Sequence, residues 1–220
     1  MLVFAQTNSI GTVSAKRAAP LVRRLGVVEY ASTYDAMRRF NGERGAVTTD
    51  ELWVLEHPPV YTAGIAARSA HFPRSSAIPL VRVDRGGQIT YHGPGQAIVY
   101  TLVDLERRRL TVRGMVTLIE DAVIGRLAER GAAAKRKPGA PGVYVEGAKI
   151  AALGLRVRRG CCYHGVALNV DMDLAPFSDI DPCGYPGLKV TQTSALGIAD
   201  SAPQLGQALA SGISRLLESR

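Results

Sequence analysis

Arg85-Gly-Gly-Gln-Ile-Thr-Tyr-His-Gly-Pro-Gly-Gln96, running straight into Ala97-Ile-Val-Tyr-Thr-Leu-Val103, is the passage on which the fold turns. The first part packs Gly86, Gly87, Gly93 and Gly95 among Arg, Gln, Thr, Tyr and His. Glycine lets a ligand approach the main chain, and the polar side chains supply donors and acceptors, so the run reads as the wall of a binding site. The second part is β-branched and strand-length. A glycine-rich loop that opens a strand, with no Lys-Ser/Thr ending, fits neither a phosphate-binding loop nor a dinucleotide fingerprint, both of which open a helix.

Outward from this passage the pattern alternates between strand and helix. Val27–Tyr30 reads as a first strand, with Ser32 or Thr33 capping a short helix through Phe40. Leu52–Leu55 is a buried strand, left through Glu56-His57-Pro58-Pro59-Val60-Tyr61-Thr62, whose prolines stop a ladder. Pro79–Asp84 is a short strand. From Thr111 the period lengthens, and Val112, Val116, Ile119, Val123 and Leu127 form one stripe of a helix ended by Gly131. Gly142–Glu146, Lys149–Val157 and Cys162–Val170 are strands separated by turn signals at Glu146-Gly147 and Arg159-Gly160, so they pair antiparallel. Asp171–Gly187 is a proline- and glycine-punctuated loop, and Leu205, Leu209, Ile213 and Leu216 mark a closing helix. The expected class is α+β, helices covering one face of a mixed β-sheet. Residues 1–21 are expected to be a poorly ordered extension, and residues 22–220 a single catalytic domain.

The 220-residue chain is 46% hydrophobic and 21% charged, and no apolar run nears the roughly 20 residues that span a bilayer, so membrane insertion is not expected. A net charge of +8 favours an acidic partner. Nucleic acid is not expected, because the longest basic cluster, Arg107-Arg108-Arg109, has no aromatic neighbour and reads as a solvated turn. Lys16 and Arg17 follow a short apolar stretch, the wrong order for a secretory signal, and three cysteines are an odd number; reduced thiols and a cytoplasmic location are expected.

Two residues stand out as chemically reactive. Cys183, in Asp181-Pro182-Cys183-Gly184, lies outside any periodic apolar segment, and as a nucleophile it needs a neighbour that favours the thiolate. Lys149 interrupts an apolar strand, which is costly without a counter-charge, although an edge-strand lysine that discourages aggregation fits the same pattern. Cys161, Cys162 and His164 lack the spacing of a zinc site, so no metal is expected. His57 fits a turn or a pocket wall equally.

Together, Arg85–Gln96, Glu56–Thr62, Gly147-Ala148-Lys149-Ile150-Ala151 and Pro182-Cys183-Gly184 resemble the lipoyl(octanoyl) transferases, in order and spacing, from about Leu25 to about Leu196. The resemblance implies a fold shared with lipoate- and biotin-protein ligases. It implies transfer of an octanoyl group from octanoyl-acyl carrier protein to a lysine of lipoyl domains of 2-oxoacid dehydrogenases or of the glycine-cleavage H protein, with no cofactor. By this resemblance Cys183 carries the acyl group and Lys149 lowers its pKa. Arg85, Gly86, Gly87, Gln88, Ile89, Thr90, Tyr91 and His92, with Ala152, Leu153, Gly154, Gly165, Val166 and Ala167, match residues lining the acyl pocket. Oxyanion donors are left open between main-chain N–H groups and His92. The rival readings are an ATP-dependent ligase on the same fold, which needs no acyl-accepting cysteine, and a non-catalytic carrier-binding protein.

Overall fold

The computed structural model describes residues 18–73, 77–180 and 188–219, the side chain of His71 excepted. Seven strands form the main sheet: β1 (Leu21–Val27), β2 (Glu51–Glu56), β6 (Gln96–Asp104), β7 (Lys135–Lys137), β8 (Ala140–Val145), β9 (Ala148–Arg158) and β10 (Cys161–Asn169). Their spatial order is β1-β2-β6-β10-β9-β8-β7, with β1 and β2 parallel and the other pairs antiparallel. A small sheet of β3 (Val60–Ala63), β4 (Leu80–Arg82) and β5 (Ile89–His92) has β3 at its centre. Among the described residues the α-helices are α1 (Tyr30–Glu43), α2 (Val112–Ala128) and α3 (Ala202–Glu218).

Turn chemistry explains the antiparallel half. Glu146 and Gly147 have φ of 50° and 85°, and Arg159 and Gly160 have 51° and 72°, the two successive positive values that the tightest hairpins require. Thr111 accepts a hydrogen bond from the Gly114 N–H and caps α2, and Gly131, at φ 78°, closes the chain after its last turn. The apolar stripe of α2 is rotated from the sequence reading: Met115, Leu118 and Ala122 join Ile119, Val123 and Leu127 inside, while Val112 is exposed and Val116 half-buried. In α3, Leu217 rather than Leu216 completes the buried row.

Among the described residues the first strand is Leu21–Val27, so Leu21, read with residues 1–21 as extension, opens a strand, and residues 1–17 lie outside the described residues. Tyr30 opens α1 instead of ending that strand. Ser32 and Thr33 do not cap the helix, because their hydroxyls bond back to the Glu29 carbonyl at 3.1 and 2.7 Å and so lie within its first turn. The Arg107–Arg109 cluster is a turn, but only Arg109 is solvated, since Arg107 is half-buried and Arg108 buried. Asp50 accepts from Arg44, Arg107 and Arg108 at 2.5, 2.6 and 2.8 Å, and Arg108 donates to the carbonyls of Ala18 and Leu217, joining the first described residue to the last helix.

Helices cover both faces of the main sheet, not one. On one face Val99, Val103, Val166, Leu168 and Ala151 pack against Met115, Ile119 and Val123 of α2 and Leu205, Leu209 and Ile213 of α3. On the other, Ile98, Tyr100, Leu102 and Ala167 meet Met37 of α1. The small sheet lies beside α1 on this second face, where Tyr30 packs with Val60 and Val83.

Candidate active site

The cavity follows from the period-2 alternation of three neighbouring strands. Register pairs Gly165 with Tyr100 and with Gly154, and Ala167 with Ile98 and with Ala152. Directly opposed residues share a face, so these six form one floor. Between them on β9 and β10, Leu153 and Val166 pack toward α2 and α3. On β9 and β10, small residues on one face and larger ones on the other leave a trench over the strands. A Cβ on Gly165 would stand 2.1 Å from the Val99 carbonyl oxygen, so β10 can run this close to β6 only with glycine there.

The trench is closed by Tyr30 from α1 and by Arg85, Gly87, Gln88, Ile89, Thr90 and His92. The space open to the centre of a water-sized sphere is about 60 Å³, several times what a single water occupies. Of the fourteen pocket residues matched by resemblance, Gly86 and Tyr91 do not line it. Tyr91 points to the far side of the small sheet, its ring 5.6 Å from those of Tyr61 and Phe177. Alternation along β5 requires this, since Thr90 and His92 face the cavity. The run read as one loop thus contains a strand.

Arg85 is 8% exposed, and its guanidinium donates to the Thr62 carbonyl at 2.6 Å, the Thr62 hydroxyl at 2.9 Å and the Gly86 carbonyl at 3.0 Å. The hydroxyl of Thr62 then has its proton available for His92 Nε2, 3.3 Å away. A second chain fixes the other ring nitrogen. The Thr191 carbonyl can only accept, so Asn169 Nδ2 donates to it at 3.0 Å, Asn169 Oδ1 accepts from Gln96 Nε2 at 2.9 Å, and Gln96 Oε1 accepts from His92 Nδ1–H at 2.7 Å. Burial, followed by the charge of His57, lowers the His92 pKa to about 3. His92 is therefore a neutral imidazole whose one N–H is committed to Gln96. It has no N–H left to offer an oxyanion.

His57 is buried and belongs to the wall's support. Its Nδ1–H donates to the Val28 carbonyl at 2.6 Å, and Nε2 accepts from the Tyr100 hydroxyl at 2.7 Å, which fixes the ring on the trench floor. Burial brings its pKa down to about 4, against the weaker opposing effect of its hydrogen bond to the Val28 carbonyl.

Tyr30, Ile98, Tyr100 and His164 line the cavity and have no counterpart in the sequence reading. His164 has φ 61° within a strand, a left-handed conformation that costs energy in a non-glycine residue. Its ring stacks on Tyr34 and Tyr163, at 5.5 and 5.1 Å, and its Nε2 is 3.3 Å from Asp84. Burial disfavours the Asp84 carboxylate, but hydrogen bonds from His164, Tyr163 and Tyr34 outweigh it and hold the pKa well below the carboxylate range. A glycine following His164 and small residues at alternate positions beyond it are the signals that could have marked this strand as a floor.

Lys149 is 4% exposed on β9, which lies between β8 and β10, so it is not an edge-strand lysine. Register slips between Val143, opposite Ala151, and Tyr144, opposite Lys149, leaving Ile150 as an extra residue. Ile150 and Ala151 consequently both face the helices. This bulge turns Lys149 to the trench face, whereas strict alternation would have pointed it at α2. Its Nζ donates to the Pro141 carbonyl at 3.2 Å and stands 5.3 Å from the centre of the Tyr144 ring. A Cβ on Gly142, at φ 136°, would lie 3.1 Å from Lys149 Cε. The Lys149 main chain bonds on both sides of Val190, N–H to Lys189 O at 2.8 Å and O from Thr191 N–H at 2.9 Å. The hydrogen-bond chain from His92 through Gln96 and Asn169 therefore ends on a residue bonded to Lys149. Cys183 lies outside the described residues. Cys161 and Cys162 are buried strand residues, and burial pushes the Cys162 thiol up to about 12.

Residues 31–212 match the family described as the lipoyl protein ligase A/B catalytic domain. The chain is 60% identical to an octanoyltransferase of Aromatoleum aromaticum over 90% of its length and 86% of that protein, and 57% identical to an octanoyltransferase of Azoarcus over 94% and 92%. Among solved structures, a lipoate-protein ligase A bound with ATP superposes with a TM-score of 0.75 at 16% identity, covering 91% of this chain and 86% of that one. The biotin protein ligase from Aquifex aeolicus in complex with biotin and ATP gives 0.57 at 12%, covering 90% and 71%. The likeness to the two ligases is one of fold. Among the described residues no helix is long and apolar enough to cross a membrane.

Proposed function

The chain belongs to the lipoyl protein ligase A/B catalytic-domain family, and within it to the octanoyltransferases; from this premise we propose that Cys183 and Lys149 carry an octanoyl group from octanoyl-acyl carrier protein to the lysine amine of lipoyl domains. The observation that carries the reading is Lys149 itself, a buried lysine on an interior strand, turned by a bulge to the face of the sheet that carries the trench. Lys189 and Thr191 are bonded to the Lys149 main chain, and Cys183 stands six positions before Lys189, at most about 20 Å of fully extended chain.

In the first step the Cys183 thiolate attacks the donor carbonyl, and the tetrahedral oxyanion collapses with loss of the carrier thiolate. That thiolate takes a proton from the Lys149 ammonium, leaving an acyl-enzyme, a free carrier thiol and a neutral Lys149. In the second, the neutral acceptor amine attacks the Cys183 thioester, gives its surplus proton to Lys149, and expels the Cys183 thiolate. The starting ion pair is restored and an amide has formed. Exchange of thioester for thioester is nearly balanced, and formation of the amide drives the sequence without a nucleotide.

The trench supplies selection. Gly154, Gly165, Ala152 and Ala167 leave space for an alkyl chain, and each methylene buried is worth about 0.8 kcal/mol. Arg85, His92 and Tyr100 fix the walls. Incubation with octanoyl-acyl carrier protein in the absence of ATP, followed by intact-mass measurement, tests the reading. Wild type should gain one octanoyl group and Cys183→Ala none. No gain by wild type, or an equal gain by the alanine variant, would end the covalent mechanism.

A further inference from the structure

β7 is the outer strand of the main sheet, and its three residues, Lys135, Arg136 and Lys137, are all basic and exposed. Among the described residues no further strand pairs with its outer side, and an edge of this kind offers its main chain to an incoming strand. Arg136 holds the strand in place, with its guanidinium 2.8 Å from Glu120 and 2.5 Å from Asp121 on α2. The lysines have a different placement. Lys135 is opposite Tyr144 on β8, and Tyr144 is opposite Lys149 on β9. Opposed residues share a face, so Lys135 lies on the face of Lys149 only two strands away, about 10 Å. Lys137 also reaches this point, its Nζ 6.0 Å from the centre of the same Tyr144 ring that Lys149 stands over. Lys189, exposed, follows from the other side, bonded through its carbonyl to the Lys149 N–H.

We propose that the outer edge of β7, with Lys135 and Lys137, and the adjoining Lys189 form the docking surface for the acceptor protein, which engages it with an acidic extended segment. The proposal rests on Lys149 being the lysine of the reacting centre. Charge gives the sign of the partner: a chain of net charge +8 places three exposed lysines around one buried one. The open ladder gives its shape, since an edge strand pairs with an extended segment and the side chains then set specificity. Distance separates the acceptor from the donor. An acceptor lysine delivers its amine on a four-carbon stem, so the main chain that bears it has to pass close to the reacting atoms. Docking two strands from Lys149 provides that approach.

The test uses the full chain, an unacylated lipoyl domain as acceptor, and the variants Lys135→Glu and Lys135→Glu/Lys189→Glu. Lys137 and Arg136 are left intact because they touch Tyr144 and α2. Calorimetric titration should show Kd for the acceptor rising several-fold in the single variant and about tenfold or more in the double, with wild-type affinity kept by Lys135→Arg. Amide exchange across residues 135–137 should slow when the acceptor is added to wild type. Acyl-enzyme formation from octanoyl-acyl carrier protein, read by mass, should stay within about twofold of wild type, which also shows that the variants are folded. An unchanged Kd overturns the proposal, and so does a fall in acylation equal to the loss of acceptor binding, which would mark a general field. The two readings separate cleanly: acceptor binding at β7 without octanoyl gain refutes the transfer chemistry, and octanoyl gain with unaltered Kd refutes the docking surface.

Discussion

The two faces of the central sheet are built from the same strands and do opposite work. Toward α2 and α3 the alternate residues of β6 and β10 are Val99, Val103, Val166 and Leu168, every one buried against aliphatic side chains. Toward the small sheet the residues between them are Gly154, Gly165 and Ala167, with Arg85, His92 and His164 buried above. One face gains stability from apolar area. The other gives up that area for a cavity and keeps polar groups in a site where burial works against their charge.

The comparison is broken most forcefully by one substitution on each face. Lys149→Met should lower the rate of acyl-enzyme formation by about a thousandfold, because the thiolate loses its partner cation and the leaving thiolate its proton source, while thermal stability changes little. Ile119→Ala, on α2, should behave in reverse. It deletes a fully buried side chain from the helix-covered face and should cost about 2–5 kcal/mol in chemical denaturation. The rate per folded molecule should remain that of wild type. Equal losses of stability in both variants would show that the faces are not separable in this way.

An intermediate effect comes from pH. The folded state holds His57 near 4 and His92 near 3, whereas both titrate near 6.5 when exposed. Between about pH 6.5 and those values the unfolded chain binds more protons than the folded one, so stability falls as pH falls. Each histidine contributes a slope of up to about 1.4 kcal/mol per pH unit through that window. Asp84, held below its normal range, adds a further loss at still lower pH. Denaturation at a series of pH values should show the decline starting below 6.5, and His92→Gln should make it shallower. A flat profile from 6.5 to 4.5 would mean that these rings are not buried and neutral.

These particulars also show what was legible in the sequence. The hairpins of β8 to β10 were readable because tight turns need positive φ, which glycine adopts freely, and Gly147 and Gly160 mark the two turns. The trench floor was readable on β9 and β10 through the resemblance, and its other half was not, since nothing local tells which face of β6 Ile98 and Tyr100 take. Asp84 and His164 meet across 80 residues, a tertiary contact with no local signature. Lys149 was recognised by its chemistry, but its direction depends on one extra residue in a ladder, and a bulge leaves no mark in an apolar run. Ser32 and Thr33 misled for a related reason, because the same hydroxyls that cap a helix also bond back to a carbonyl one turn earlier.

The smallest expected effect is at the point where the two faces meet. Gly142 on β8 donates its N–H to Glu120 of α2 at 3.0 Å, and on its other side leaves the space in which the Lys149 stem lies. Gly142→Ala would bring a Cβ to 3.1 Å from Lys149 Cε, 3.4 Å from Nζ and 2.8 Å from the Ala151 carbonyl oxygen, at a φ of 136° that side chains rarely adopt. The main-chain clash falls on stability, at about 1–3 kcal/mol. The contact with the stem falls on chemistry, because the end of a flexible lysine can yield by a few tenths of an ångström, and with it the ammonium moves away from the place the bulge gave it. Acylation should slow by about tenfold, while binding of the acceptor, which depends on β7 and not on the stem, should be unchanged. A rate equal to wild type with lowered stability would place the purpose of this glycine wholly on the helix side, in freeing its N–H for Glu120, and would leave the bulge as the sole device that aims Lys149.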